Sequence, residues 1–296
     1  MKSADDTSMI ISKLPDQVAR IQIPKERPMR RTLIVGCLCF IAGVAQARYQ
    51  TQPSTIPDPC AGRSGLLAEL DRPTVADSVC AVKPGRVIVE GGYAHSNTSA
   101  GASENAPQAE IRFGLAHGNE FVLLPPNVAY MPNSNTSHTS YGTTTIGLKH
   151  EWAYTRHWVY AGEVLLTTPS PGQTSTHSLG WGEAVNGIVA YNVTPHIGLG
   201  LMLGATAQYN RYGQRYTSIN PDFTATWLIS SRWQLYGEIY GQTHTSYGQG
   251  SGWDSDGGVQ YLVTRRIEVD AELGQRLSGA LGGYRNYWGF GAGWEF

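Results

Sequence analysis

Residues 267–276 read Ile-Glu-Val-Asp-Ala-Glu-Leu-Gly-Gln-Arg, IEVDAELGQR. Ile267, Val269, Ala271 and Leu273 take alternate places, and Glu268, Asp270, Glu272, Gly274 and Arg276 fill the places between. A period of two sends the two sets to opposite faces of a β-strand. Residues 197–208 obey the same rule: Ile197, Leu199, Leu201, Leu203 and Ala205 share one face, with small and polar residues opposite and Met202 as the exception. Such a ribbon needs an apolar medium on one side and water or ionic partners on the other.

Working outward, the chain from Arg86 onward divides into segments of about ten residues with this polarity and no sustained helical periodicity. About twelve strands are expected, beginning near Val87, Gln108, Phe121, Thr143, Trp158, Gly182, Ile197, Phe223, Gln234, Gly257, Ile267 and Tyr287. The connections HGNE, YTRHW, VTPH, SSRW and TRRI are tight. Those at 97–106, 131–140, 168–178, 209–221, 244–255 and 278–286 are long and polar. Short turns on one rim and long loops on the other are the mark of a transmembrane antiparallel β-barrel.

Alternation alone also fits a soluble barrel with an apolar interior. Aromatic placement separates the two. Trp152, Tyr154, Trp158, Tyr160, Trp227, Trp233, Phe113 and Phe121 flank the short turns on the apolar face of their strands, as an interfacial girdle requires. Pro125-Pro126 and Pro221 remove ladder donors, so a bulge or break is expected at each.

Composition agrees, since charged residues are 15% of the chain and Tyr plus Trp outnumber Phe four to one. Residues 29–47, MRRTLIVGCLCFIAGVAQA, carry two arginines, a short apolar run and Ala45-Gln46-Ala47, the order of a secretory signal cleaved after Ala47. Residues 1–28 then read as a mis-assigned extension before a true start at Met29. Without residues 1–47, seven of 22 Lys/Arg and four of 23 Asp/Glu go, leaving 15 and 19 and a formal charge of −4. No basic surface for nucleic acid remains. Cys60 and Cys80 survive and would meet an oxidising compartment, where they are a candidate disulfide.

Before the first strand stand Asp71-Arg72-Pro73, Asp77-Ser78, Pro84-Gly85 and Glu90-Gly91-Gly92-Tyr93. In this order and separation they resemble the opening of the outer-membrane transporter family named for the meta-pathway of phenol degradation. The resemblance covers residues 65–296 and implies an outer-membrane barrel of a Gram-negative bacterium. It also implies passive uptake of small molecules, with aromatic or otherwise hydrophobic cargo suggested by the family name. The Cys60/Cys80 pair departs from the family pattern.

On the inward face, Glu90, Glu110, Arg112, Lys149, Glu151, Glu163, Glu238, Asp256, Glu268, Asp270, Glu272 and Arg276 are candidate pore-lining groups. They would either line a hydrated passage of acidic bias or pair with one another as filler. Residues 48–85 would lie in the periplasm or fold back as a plug, and residues 86–296 form the barrel. His95, His138, His177 and His244 fall at the long-loop rim and could serve a metal site or a lipid-acting hydrolase. No spacing enforces either, so no catalytic residue, metal or cofactor is assigned. A structural or adhesive barrel is the third reading. Trp288, Phe290, Trp294 and Phe296 alternate at the C-terminal end like the signal by which barrel-assembly machinery recognises its clients. The expected partners are that machinery, outer-membrane lipid and a small-molecule solute.

Overall fold

The computed structural model describes residues 56, 58–62, 65–99, 101–132, 138–169, 179–210 and 212–296. The signal and the extension before it lie outside the described residues, as do residues 48–55. The account below concerns the unit Gln52–Phe296.

Among the described residues, fifteen strand segments build twelve wall positions. The first wall is β1 (Val87–Thr98). The second is shared by β2 (Gly101–Ala106) and β3 (Glu110–Gly114), and the third by β4 (Asn119–Leu124) and β5 (Val128–Met131). The fourth is shared by β6 (His138–Tyr141) and β7 (Thr145–Tyr154). Then follow β8 (Trp158–Thr167), β9 (Gly182–Asn192), β10 (Ile197–Tyr209), β11 (Arg215–Leu228), β12 (Trp233–Gln242), β13 (Gly252–Leu262), β14 (Ile267–Ser278) and β15 (Tyr284–Glu295). Neighbours pair antiparallel throughout, and β15 returns to β1 to close the sheet. Closure leaves no unpaired edge at this seam, the condition for crossing lipid with strands. Val87 and Phe296 complete it, the Phe296 N–H donating to the Val87 carbonyl at 2.8 Å.

The alternation in the sequence becomes the two faces of the wall. On β14, Leu273 is 70% exposed while its neighbours Glu272 and Gly274 turn inward, and Glu268 is 0% exposed. Phe290, Trp294 and Phe296 are each at least half exposed. Apolar groups meet lipid and ionic groups meet the lumen.

The prolines behave differently from one another. Pro125-Pro126 breaks the third wall as expected, but the second and fourth walls break as well, at 107–109 and 142–144. Pro221 does not break β11. Ile219 exchanges hydrogen bonds with Thr243 on the β12 side, so the missing N–H two residues on also faces β12, and that ladder begins only at Asp222. The strand pairing also runs further into the long-loop side than alternation suggests, with β2, most of β6 and the start of β11 inside the stretches 97–106, 131–140 and 209–221. There Ser, Thr and Asn pair above the lipid, where no apolar face is needed to mark a strand.

One aromatic assignment is corrected. A bulge between Glu151 and Ala153 adds a residue to β7 and flips the parity after it. Trp152 stays outward, but Tyr154 packs inward against the cluster of Cys60, Val79, Cys80, Val159, Ala161, Ile188 and Met202.

Candidate functional site

The candidate pore-lining residues lie on the inner face, but they do not face an empty channel. Residues 65–82 run through the lumen and are held on β1, β3, β4, β7, β12, β13 and β14, which stand on opposite sides of the barrel.

The holding device is unusual in using wall carboxylates as acceptors for the segment's own backbone. Having little regular structure, the segment leaves N–H groups unpaired, and burying them bare costs about 1–3 kcal/mol each. Glu90 accepts the N–H groups of Asp71 and Arg72 at 3.0 and 2.9 Å. Glu238 accepts those of Val75 and Ala76 at 2.8 and 2.9 Å. Glu151 takes Ala81 at 3.1 Å and Glu120 takes Val82 at 2.6 Å. Gln260 returns the favour by donating to the Arg72 carbonyl at 2.9 Å.

Two charged side chains of the segment add ion pairs. Asp71 meets Arg112 at 3.1 Å and Lys149 at 3.4 Å, and both cations are fully buried. Arg112 also reaches Glu90 at 3.0 Å, Glu120 at 3.4 Å and the Glu69 carbonyl, so it is the hub of this side. Arg72 crosses to the seam of the barrel, meeting Asp270 at 3.2 Å, Glu272 at 3.6 Å and Gln108 at 3.1 Å. It lies over Gly92 of β1 and Gly291 of β15, where any Cβ would collide with the guanidinium. Burial alone would lower its pKa, but Asp270 and Glu272 outweigh that and hold it above the ordinary value. Asp77 is pushed well above the carboxylate range by burial and by its neighbours Glu163 and Asp71. A disulfide joins Cys60 to Cys80 with Cα atoms 5.5 Å apart. Lys83 pairs with Glu69, whose pKa burial still raises.

The remaining candidates have quieter partners. Glu163 accepts from Asn186 at 2.6 Å and Asp256 from Tyr287 at 2.6 Å. Glu110 and Arg276 are half-buried on the inner face. Glu120, Asp222, Asp254, Gln260, Tyr236, Tyr240 and Tyr284 also line the lumen and were missed. Glu120 sat in a stretch read as turn, and inward tyrosines look like lipid-facing ones until strand parity is known.

Between the segment and β8–β11 a cavity of about 200 Å³ remains. Leu67, Val79, Val159, Ile188 and Met202 line it, with Gly198 and Gly200 keeping the β10 face low. It reaches the short-turn rim at Thr194, Pro195 and His196.

The rim histidines are not brought together among the described residues. His95 lies on β1, stacked on Trp288 at 5.4 Å, whereas His244 lies in the turn after β12. The His138 side chain and His177 lie outside the described residues. Among the described residues two groups of potential metal ligands occur, Asp58/Cys60/Glu151 and Asp71/Glu90/Glu110. Cys60 is spent in the disulfide, and Arg112 lies against Asp71 and Glu90 in the other.

A family model described as "Putative MetA-pathway of phenol degradation" matches residues 70–294. Among solved structures, an outer-membrane channel from Pseudomonas putida F1 is similar with a TM-score of 0.59 and 12% identity, over 75% of this chain and 100% of that one. The KdgM porin, solved with disordered oligogalacturonate, gives 0.51 and 9% over 71% and 99%. The NanC porin gives 0.50 and 13% over 70% and 98%. No curated protein matches the chain by sequence.

Proposed function

Because the chain belongs to this phenol-degradation family of outer-membrane barrels, we propose that it is a passive uptake channel whose lumen is closed by residues 65–82 and whose cargo is small and aromatic or otherwise hydrophobic. The observation that carries the cargo is how the charge is used. An acidic lumen by itself favours cations. Here Glu90, Glu120, Glu151 and Glu238 accept from the segment's backbone, and Asp270 and Glu272 pair with Arg72. These carboxylates hold the segment instead of lining an open acidic filter, and Glu163 on β8 accepts from Asn186. The space that remains on the β8–β10 side has Leu67, Val79, Val159, Ile188 and Met202 on its wall, with Asp77, Thr224 and Thr226 beside them. Its size suits a single-ring molecule, since an apolar cavity of about 150 Å³ accepts benzene.

Flux of a phenol-class solute into proteoliposomes tests the reading, beside a charged solute of equal size. Wild-type protein should pass the neutral aromatic compound faster, and weakening the segment's hold should raise both fluxes. Equal exclusion of both solutes by wild-type and weakened protein would overturn the channel. Faster passage of the cation in wild type would overturn the cargo.

A further inference from the structure

The strands that rise from the short-turn rim are β1, β4, β8, β10, β12 and β14. The residues immediately before five of them are Arg86, His157, His196, Arg232 and Arg266, and Gly118 precedes β4. These five positions are structurally equivalent. The carbonyl of each accepts an N–H from the end of the next descending strand: Gly114, Asn192, Leu228, Leu262 and Glu295, at 2.9, 2.7, 2.7, 2.9 and 2.9 Å. Arg156 stands beside His157 and Arg265 beside Arg266 at two of these turns. The turns at 115–118, 155–157, 193–196, 229–232 and 263–266 hold no Asp or Glu.

Arginine at three of these equivalent positions, Arg86, Arg232 and Arg266, together with Arg156 and Arg265 in the turns, makes a collar of positive charge on this rim. Arg86 is engaged by Glu295 at 3.7 Å, but Arg156, Arg232, Arg265 and Arg266 are exposed and have no carboxylate partner among the described residues. The residue after the collar faces lipid: Trp158, Ile197 and Trp233 are 41%, 42% and 44% exposed. Interfacial Trp marks headgroup depth, so Arg232, one residue beyond Trp233, and Arg156, two beyond Trp158, stand beside the headgroups. Guanidinium groups at that depth match phosphate in both charge and fork geometry.

We propose that the short-turn rim is a binding collar for anionic phospholipid headgroups in the leaflet it faces. It fixes the depth of the barrel and screens the mouth where the cavity beside the segment emerges. The test uses the full chain in phosphatidylcholine vesicles carrying trace spin-labelled phosphatidylglycerol or phosphatidylcholine, with the motionally restricted lipid read by electron paramagnetic resonance. Wild-type protein should prefer phosphatidylglycerol by about fivefold at a site holding one arginine, the weight of one cation at a charged membrane surface. The preference should fall toward parity at high salt, where the Debye length is only about 3 Å. The variant R156Q/R232Q/R265Q/R266Q should lose it, with heat-modifiable migration in detergent gels reporting that it folds. The smaller variant R265Q/R266Q, confined to one turn, should lose part of it and serves if the larger one does not assemble. Equal association of the two lipids with wild-type protein, or a preference that both variants keep, overturns the proposal. Equal association would instead fit a collar that meets an acidic periplasmic protein.

Discussion

The two sides of the lumen are built to different rules. On the side of β1, β3, β4 and β7, Arg112 and Lys149 are fully buried among Asp71, Glu90 and Glu120, and the segment is gripped through charge and backbone N–H groups. On the side of β8–β10 the wall offers Val159, Ile188, Met202 and two glycines, and a cavity lies between wall and segment. The contrast teaches that one side of this barrel is spent on holding and the other on leaving room. A single observation of acidic residues inside a barrel cannot tell these uses apart.

The largest break in the comparison should come from Arg112→Met. It strips the hub from Asp71, Glu90 and Glu120 and leaves their charges buried, a loss of about 3–5 kcal/mol when one partner of a buried pair is removed. The heat-modification midpoint in detergent should fall and conductance in planar bilayers should rise. Arg72→Ala comes next. It removes charge-assisted bonds worth about 1.5–3 kcal/mol on the seam side while leaving the Arg112 hub intact. Conductance should again rise with little change in the barrel's own melting, and Arg72→Lys should restore the hold only in part because it loses the fork.

Gly200→Leu sharpens the contrast from the other side. A Cβ there meets Thr224 at an ordinary 3.6 Å, so the side chain can extend into the cavity without displacing the segment. Neutral aromatic flux should drop several-fold with the melting midpoint unchanged. The smallest effect concerns pH. Asp77 has a raised pKa when docked, so the docked state binds more protons than the released state between the ordinary and the raised pKa. Docking is therefore strongest below the ordinary carboxylate pKa of about 3.9 and weakens as pH rises through the shifted one. Conductance should climb with pH across that window, and Asp77→Asn should flatten the climb.

Much of the barrel was legible because lipid imposes a period of two on anything that crosses it. Glu268, Asp270 and Glu272 declare their face by position alone. What lies beyond the lipid was not legible: β2 and β6 have polar residues on both faces, so nothing in their pattern separates strand from loop. Tyr154 was misplaced because one extra residue in β7 inverts parity, and a bulge leaves no mark in composition. The inner-face residues could be listed from parity, but their use could not. Glu238 serves Val75 and Ala76 from far along the chain, and the segment has no periodicity to announce where its N–H groups would point.

The central claim is that wall carboxylates hold residues 65–82 in the lumen and thereby close a channel. Single-channel conductance of wild-type protein beside the double variant Arg72→Ala/Glu238→Gln tests it most directly, since these changes loosen the segment at two places without touching the Arg112 hub. The account predicts a small wild-type conductance and a many-fold larger one in the variant. Equal conductance in the two proteins would contradict it.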